Sequence, residues 1–162
     1  MPPRALLVVA LLAVATLVGL WWRSRNGRYS AVPPDVVRAA EAYDEGAADA
    51  HDEGRDDRLR PAELGIALGS VATFVQLSSE VCAPCRRTHA VLAELAAHEP
   101  GVSHVELDVA QHLDLVRRFH VMRTPTVLVL DPSGVVVGRM SGATDRRHAH
   151  HALERLAQET TR

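Results

Sequence analysis

The chain has 162 residues, is 47% hydrophobic and 23% charged, and carries a formal net charge of −2. That balance excludes a general electrostatic attraction to nucleic acid, and its two cysteines are too few for a disulfide-stapled scaffold. Once an N-terminal apolar segment is set aside, about 100 residues remain for one globular domain, a common domain size.

Ala5 to Trp22 is apolar except for Thr16 and Gly19. That length predicts a membrane-spanning helix and is long for a signal-peptide core. Trp21 and Trp22 close the run, where indole rings favour the headgroup region, and Arg23, Arg25 and Arg28 follow. No small-x-small cleavage site follows, so residues 1–28 read as an uncleaved single-pass anchor with its span over 5–22. A cleaved signal peptide is the alternative. Arg4 and the α-amino group precede the span and three arginines follow it. Because arginine excess marks the cytoplasmic side, the count leans towards a cytoplasmic domain by a margin of about one charge.

Residues 29–60 read as an acidic linker. Glu41, Asp44, Glu45, Asp49, Asp52, Glu53, Asp56 and Asp57 face only Arg55, and self-repulsion extends such a segment. Asp35 to Asp49 is compatible with a short polar helix bearing Val36, Ala39, Ala40 and Tyr43, although Gly46 and the charge density weigh against it.

The domain is expected over 61–162. Leu64 to Gly69 predicts a turn or short strand. Ala72 to Leu77 predicts the first firm strand, and Cys82 to His98 a helix with Val91, Leu92 and Leu95 on its apolar face. Val102 to Asp108 predicts a second strand, His112 to Phe119 a second helix, and Thr126 to Leu130 a third strand. Asp131-Pro132-Ser133-Gly134 supplies a turn, Val135 to Met140 a returning strand, and Asp145 a cap for a last helix to about Gln158. The first two strands must be parallel across a right-handed crossover, and the last two antiparallel across their tight turn. The class is therefore α/β, a central mixed sheet flanked by helices and preceded by one transmembrane helix.

The chemistry concentrates in Cys82-Ala83-Pro84-Cys85, which holds both cysteines between a strand and a helix. In that context C-x-x-C reads as a redox dithiol. A cysteine at a helix N-terminus faces unpaired N–H groups and the positive end of the helix dipole, which favour its thiolate. Cys82 is then the attacking sulfur and Cys85, one turn further in, the resolving one. Pro84 fits a first turn, where its missing N–H costs nothing. Arg86 adds positive charge nearby. A metal site is the alternative for the pair. His89 completes C-x2-C-x3-H, and His148 and His151 share a helix face, but neither set supplies the four ligands of a closed zinc site. Both sets read as surface histidines, with no metal.

This dithiol, together with Arg123-Thr124-Pro125-Thr126 before a later strand, resembles the thioredoxin superfamily over roughly residues 64–158. The resemblance implies a thioredoxin-like fold with the four domain strands in the order second, first, third, fourth. It implies a cis Thr124–Pro125 bond beside the dithiol, and a substrate groove formed by Val81, Ala83, Pro84, Arg123, Thr124, Pro125 and Gly142. Departures matter. Val81 and Ser78 stand where tryptophans are usual. Gln76 occupies the place of a buried aspartate that assists the resolving cysteine, and an amide cannot take that proton as a carboxylate does.

The implied activity is a membrane-tethered protein-disulfide reductase or exchanger that needs no cofactor. Its partners would be disulfide-bearing client proteins, an electron-donor dithiol protein or membrane reductase, and the lipid bilayer, with no nucleic acid. A specialised reductase of cytochrome-maturation type and a non-catalytic redox-sensing or partner-binding module are the alternatives. Anchored relatives usually act outside the cytoplasm, which makes an extracytoplasmic domain the alternative to the charge count.

Overall fold

A computed structural model of the chain describes residues 3–25, 29–31 and 57–160. An interior strand of its sheet is β2, Ala72–Ser78, whose seven residues are all buried. A strand of this kind needs a neighbour on each edge and cover on both faces. The labels follow the chain as α1 (Pro3–Arg25), β1 (Tyr29–Ala31), α2 (Pro61–Leu64), β2, α3 (Ala83–His98), β3 (Val102–Asp108), α4 (Leu113–Arg118), β4 (Thr126–Leu130), β5 (Val136–Ser141) and α5 (Arg146–Thr160). β3 pairs parallel to β2 on one side, β4 antiparallel on the other, and β5 antiparallel to β4. The sheet order is β1-β5-β4-β2-β3, so the four strands expected of the domain stand in the expected order.

The two-residue period of β2 sends its side chains to two separate cores. Ala72 and Phe74 pack with Leu92 and Leu95 of α3, with Val127 and Val129, and with Ala149, Ala152 and Leu156 of α5. Val75 and Leu77 pack on the other face with Leu107, Leu115, Phe119, Leu128 and Leu130. Phe74 is fully buried, and truncating such a residue to alanine costs about 3–5 kcal/mol. Gln76 shares the Phe74 face by the same period, which puts a polar side chain under α3.

The hairpin turn is held by the Asp131 carboxylate. Its Oδ1 accepts from Ser133 N and Oγ and from Val135 N, at 2.8–2.9 Å. The Asp145 carboxylate accepts from His148 N at 2.9 Å at the start of α5, the cap expected there.

Three expectations change. The segment before β2 adds a single helical turn, α2, ahead of the turn expected from Leu64. Pro61 opens it, Glu63 Oε2 accepts from Arg60 N at 2.8 Å, and Gly65 ends it in the left-handed region at φ 68°. The stretch assigned to the linker contributes to the sheet at both ends. Tyr29–Ala31 pairs antiparallel with β5, and Leu59 is fully buried, with its N–H donating to Gly134 O at 2.8 Å. These short pieces gain order from edges and pockets that the rest of the domain presents, which local composition does not register. The short polar helix considered over 35–49 lies outside the described residues.

The third change concerns α1. Among the described residues no helix is long and apolar enough to cross a membrane, so the span expected over 5–22 is not supported there. Ala5 and Trp22, its ends, lie outside the residues whose side chains are described. Within α1 the large apolar side chains from Leu6 to Trp21 are all more than half exposed.

Candidate active site at the N-terminus of the crossover helix

Cys82 ends the loop after β2 and caps α3 from an extended conformation, φ −138° and ψ 97°. That geometry points the unpaired N–H groups of the first turn at its side chain. The N–H of Cys85 donates to Cys82 Sγ at 3.1 Å, and no acidic residue stands in the first turn to oppose the helix dipole. The two sulfurs form a disulfide. Cys82 is 7% exposed and Cys85 2%, so the first sulfur is the more accessible of a sheltered pair. When reduced, the Cys82 sulfur lies where a thiolate is stabilised.

The surrounding rim is open. Val81 is 94% exposed, and Ala83, Pro84 and Arg86 are exposed beside it. The Thr124–Pro125 bond is cis. Ser79 Oγ and Thr124 Oγ1 lie 3.1 Å apart, which fastens the loop before the dithiol to the loop before Pro125. Thr126 Oγ1 donates to Arg123 O at 2.8 Å. Gly142 N–H donates to Pro125 O at 2.8 Å, and its φ of 94° is one that glycine adopts without strain. The loop before the dithiol, the loop before Pro125 and the Gly142 turn are thus joined by hydrogen bonds. Arg123 is exposed on that second loop, as is Met122 at 90% exposure, a residue the sequence reading passed over.

Gln76 is fully buried and hydrogen-bonded to the active helix. Its Nε2 donates to Cys85 O at 3.0 Å, to Glu106 Oε1 at 2.8 Å and to Ser78 Oγ at 2.8 Å. Glu106 stands directly opposite Gln76 in the parallel register. Its other oxygen meets His89 Nδ1 at 2.8 Å, and the His89 ring packs edge-on against His104 at 5.2 Å. Burial, followed by repulsion from His89, lowers the His104 pKa to about 4 against an opposing pull from Glu106. Glu106, His89 and His104 were missed as a group. Glu106 and His104 share one face of β3 by its two-residue period, but only the register brings them under α3.

Among the described residues no cluster of three or more histidine, cysteine, aspartate or glutamate side chains is arranged to hold a metal ion. His148 instead lies 3.2 Å from the Asp145 carboxylate.

The comparison with known proteins agrees with this geometry. The family model described as Thioredoxin matches residues 66–155. Thioredoxin H2-1 of Oryza sativa subsp. japonica is 27% identical over 118 residues, covering 73% of this chain and 83% of its own length. Among solved structures, thioredoxin f from spinach chloroplast superposes with a TM-score of 0.51 at 21% identity, over 60% of this chain and 78% of its own.

Proposed function

The chain belongs to the thioredoxin family and is a thioredoxin-like disulfide oxidoreductase, and we propose that it works as a membrane-tethered reductase of disulfides in client proteins. The observation that carries the direction of attack is the placing of Cys82 at the N-cap of α3, with Cys85 one turn inward and bonded to it. In the proposed cycle the Cys82 thiolate attacks one sulfur of a client disulfide. A Cys82–client bond forms, and the other client sulfur leaves as a thiolate that takes a proton from water. Cys85 then loses its proton and attacks Cys82 Sγ. The Cys82–Cys85 bond forms, and the second client sulfur leaves in the same way. Two electrons pass from the dithiol to the client, and a donor dithiol protein or a membrane reductase restores the reduced pair.

The exposed rim of Val81, Met122 and Arg123 would meet the client beside the sulfurs, with Thr124 and Pro125 lining the groove. Tethering is supported by the apolar run from Ala5 to Trp22 and by α1, whose described large apolar side chains are exposed all round. A helix apolar on every side requires burial in protein or lipid. In this reading the arginine count supports the cytoplasmic face by a margin of about one charge, with the extracytoplasmic face as the alternative. The test of the activity is dithiothreitol-driven insulin reduction by the full chain in detergent. Acceleration that Cys82→Ser removes supports the proposal, whereas a rate equal to the uncatalysed control overturns it.

A further inference from the structure

Among the buried polar atoms that the mechanism above leaves unused, one lies beside the dithiol. Gln76 Oε1 is shut away from solvent and has no hydrogen-bond partner, in a side chain that is itself fully buried. Leaving such an acceptor unsatisfied in the interior is unfavourable. The amide cannot simply turn over to relieve it. Its nitrogen faces the Cys85 carbonyl and the Glu106 carboxylate, and both of these only accept, so an oxygen in that place would meet two acceptors. Glu106 is in turn fixed by His89 on α3. The amide therefore has one usable orientation, with its oxygen left over.

In the disulfide neither sulfur carries a hydrogen. Two-electron reduction leaves Cys82 as the stabilised thiolate and puts a hydrogen on Cys85, whose thiol then becomes a donor inside a site where its residue is only 2% exposed. The same residue already accepts from Gln76 through its backbone, so the amide lies alongside it. We propose that Gln76 Oε1 is the acceptor for the Cys85 S–H of the reduced protein, which makes Gln76 a positioning residue that holds the resolving cysteine as a thiol and favours the reduced state. The inference rests on reading Cys82 and Cys85 as the exchanging pair. It gives the glutamine a role of its own: the amide holds the proton of Cys85 until the mixed disulfide forms, and water then takes it.

The charged and titratable groups linked to the amide are Glu106, which accepts from it, His89, which meets the other Glu106 oxygen, and His104, which packs against His89. The Glu106 side chain is one-third exposed, so solvent screens its charge. Its contribution comes through the orientation of the amide.

Two measurements test this. Cys82→Ser leaves Cys85 as the chain's only thiol, and its S–H stretching band can be read by infrared spectroscopy in a window clear of amide absorption. The expected band lies at lower frequency in Cys82→Ser than in the Cys82→Ser/Gln76→Leu double variant. An identical frequency in the two overturns the proposal. If the double variant does not fold, the Cys82→Ser band is compared with that of the same protein in denaturant, and equal hydrogen bonding to the solvent-exposed thiol, or a free-thiol position, overturns it. Second, Gln76→Leu with both cysteines intact should move the equilibrium with glutathione at pH 6 about fivefold towards the disulfide, the size of one hydrogen bond. An unchanged or opposite shift overturns it. Neither readout requires client turnover, so a chain that reduces no insulin yet shows both shifts would refute the proposed activity and leave this inference standing.

Discussion

The N–H of Cys85 donates to the sulfur of Cys82 at 3.1 Å. The helix thus supplies its own first-turn donor to the outer sulfur. Cys82→Ser is expected to abolish insulin reduction. Cys85→Ser should keep the attack but lose the resolution, and accumulate mixed disulfides detectable by mass spectrometry under non-reducing conditions. Limiting alkylation of the reduced protein should label Cys82 before Cys85, and the reverse order would overturn the assignment.

Restoring the family's buried carboxylate is expected to harm this protein. Gln76→Asp would remove the amide donations to Cys85 O, Glu106 and Ser78 and set a carboxylate against Glu106 and the Cys85 carbonyl, both acceptors. The expected loss is about 3 kcal/mol or more, read as a lower urea midpoint at neutral pH with an unchanged slope. From sequence alone the same change promises faster proton removal from Cys85. A variant as stable as the parent would show that the Glu106 contact is dispensable.

His104 gives the fold a specific acid sensitivity. Its pKa is lowered to about 4 in the folded protein, against about 6.5 when unfolded. Above pH 6.5 both states are neutral and stability is unaffected. Between 6.5 and about 4 the unfolded chain binds a proton that the folded one refuses, so stability falls as pH falls through that window. His104→Gln should flatten the fall, measured as Tm against pH. An unaltered slope would assign the acid sensitivity to other groups.

Gly138 and Tyr29 depend on each other. A Cβ at Gly138 would come within 2.1–2.5 Å of the Tyr29 ring, and Tyr29 Oη donates to Val137 O at 3.2 Å. Gly138→Ala is expected to displace β1 from β5 without dissolving the four-stranded core. Hydrogen exchange should rise tenfold or more at the Tyr29–Ala31 amides and stay unchanged at β2.

The proposed tether predicts that the full chain stays with membranes through alkaline carbonate extraction, and that removing residues 1–28 releases it. An alkaline phosphatase fusion at the C-terminus should be inactive if the domain faces the cytoplasm. Activity equal to an exported control would move the domain to the other side.

The sequence by itself determined the local elements and the chemistry they carry. The buried run of β2, the period of α3, the Asp131 turn and the Asp145 cap are written in neighbouring residues. So is the placing of C-x-x-C between a strand and a helix, because capping and dipole effects act within one turn. Tertiary structure decided what depends on register and docking. Gln76 meets Glu106 because two parallel strands align at that rung, and His89 reaches Glu106 because α3 crosses above it. Tyr29–Ala31 joins the sheet because β5 offers an unpaired edge. Such contacts join residues from seventeen to more than one hundred positions apart. No periodicity encodes them, since each is set by how the assembled core fixes two elements relative to each other.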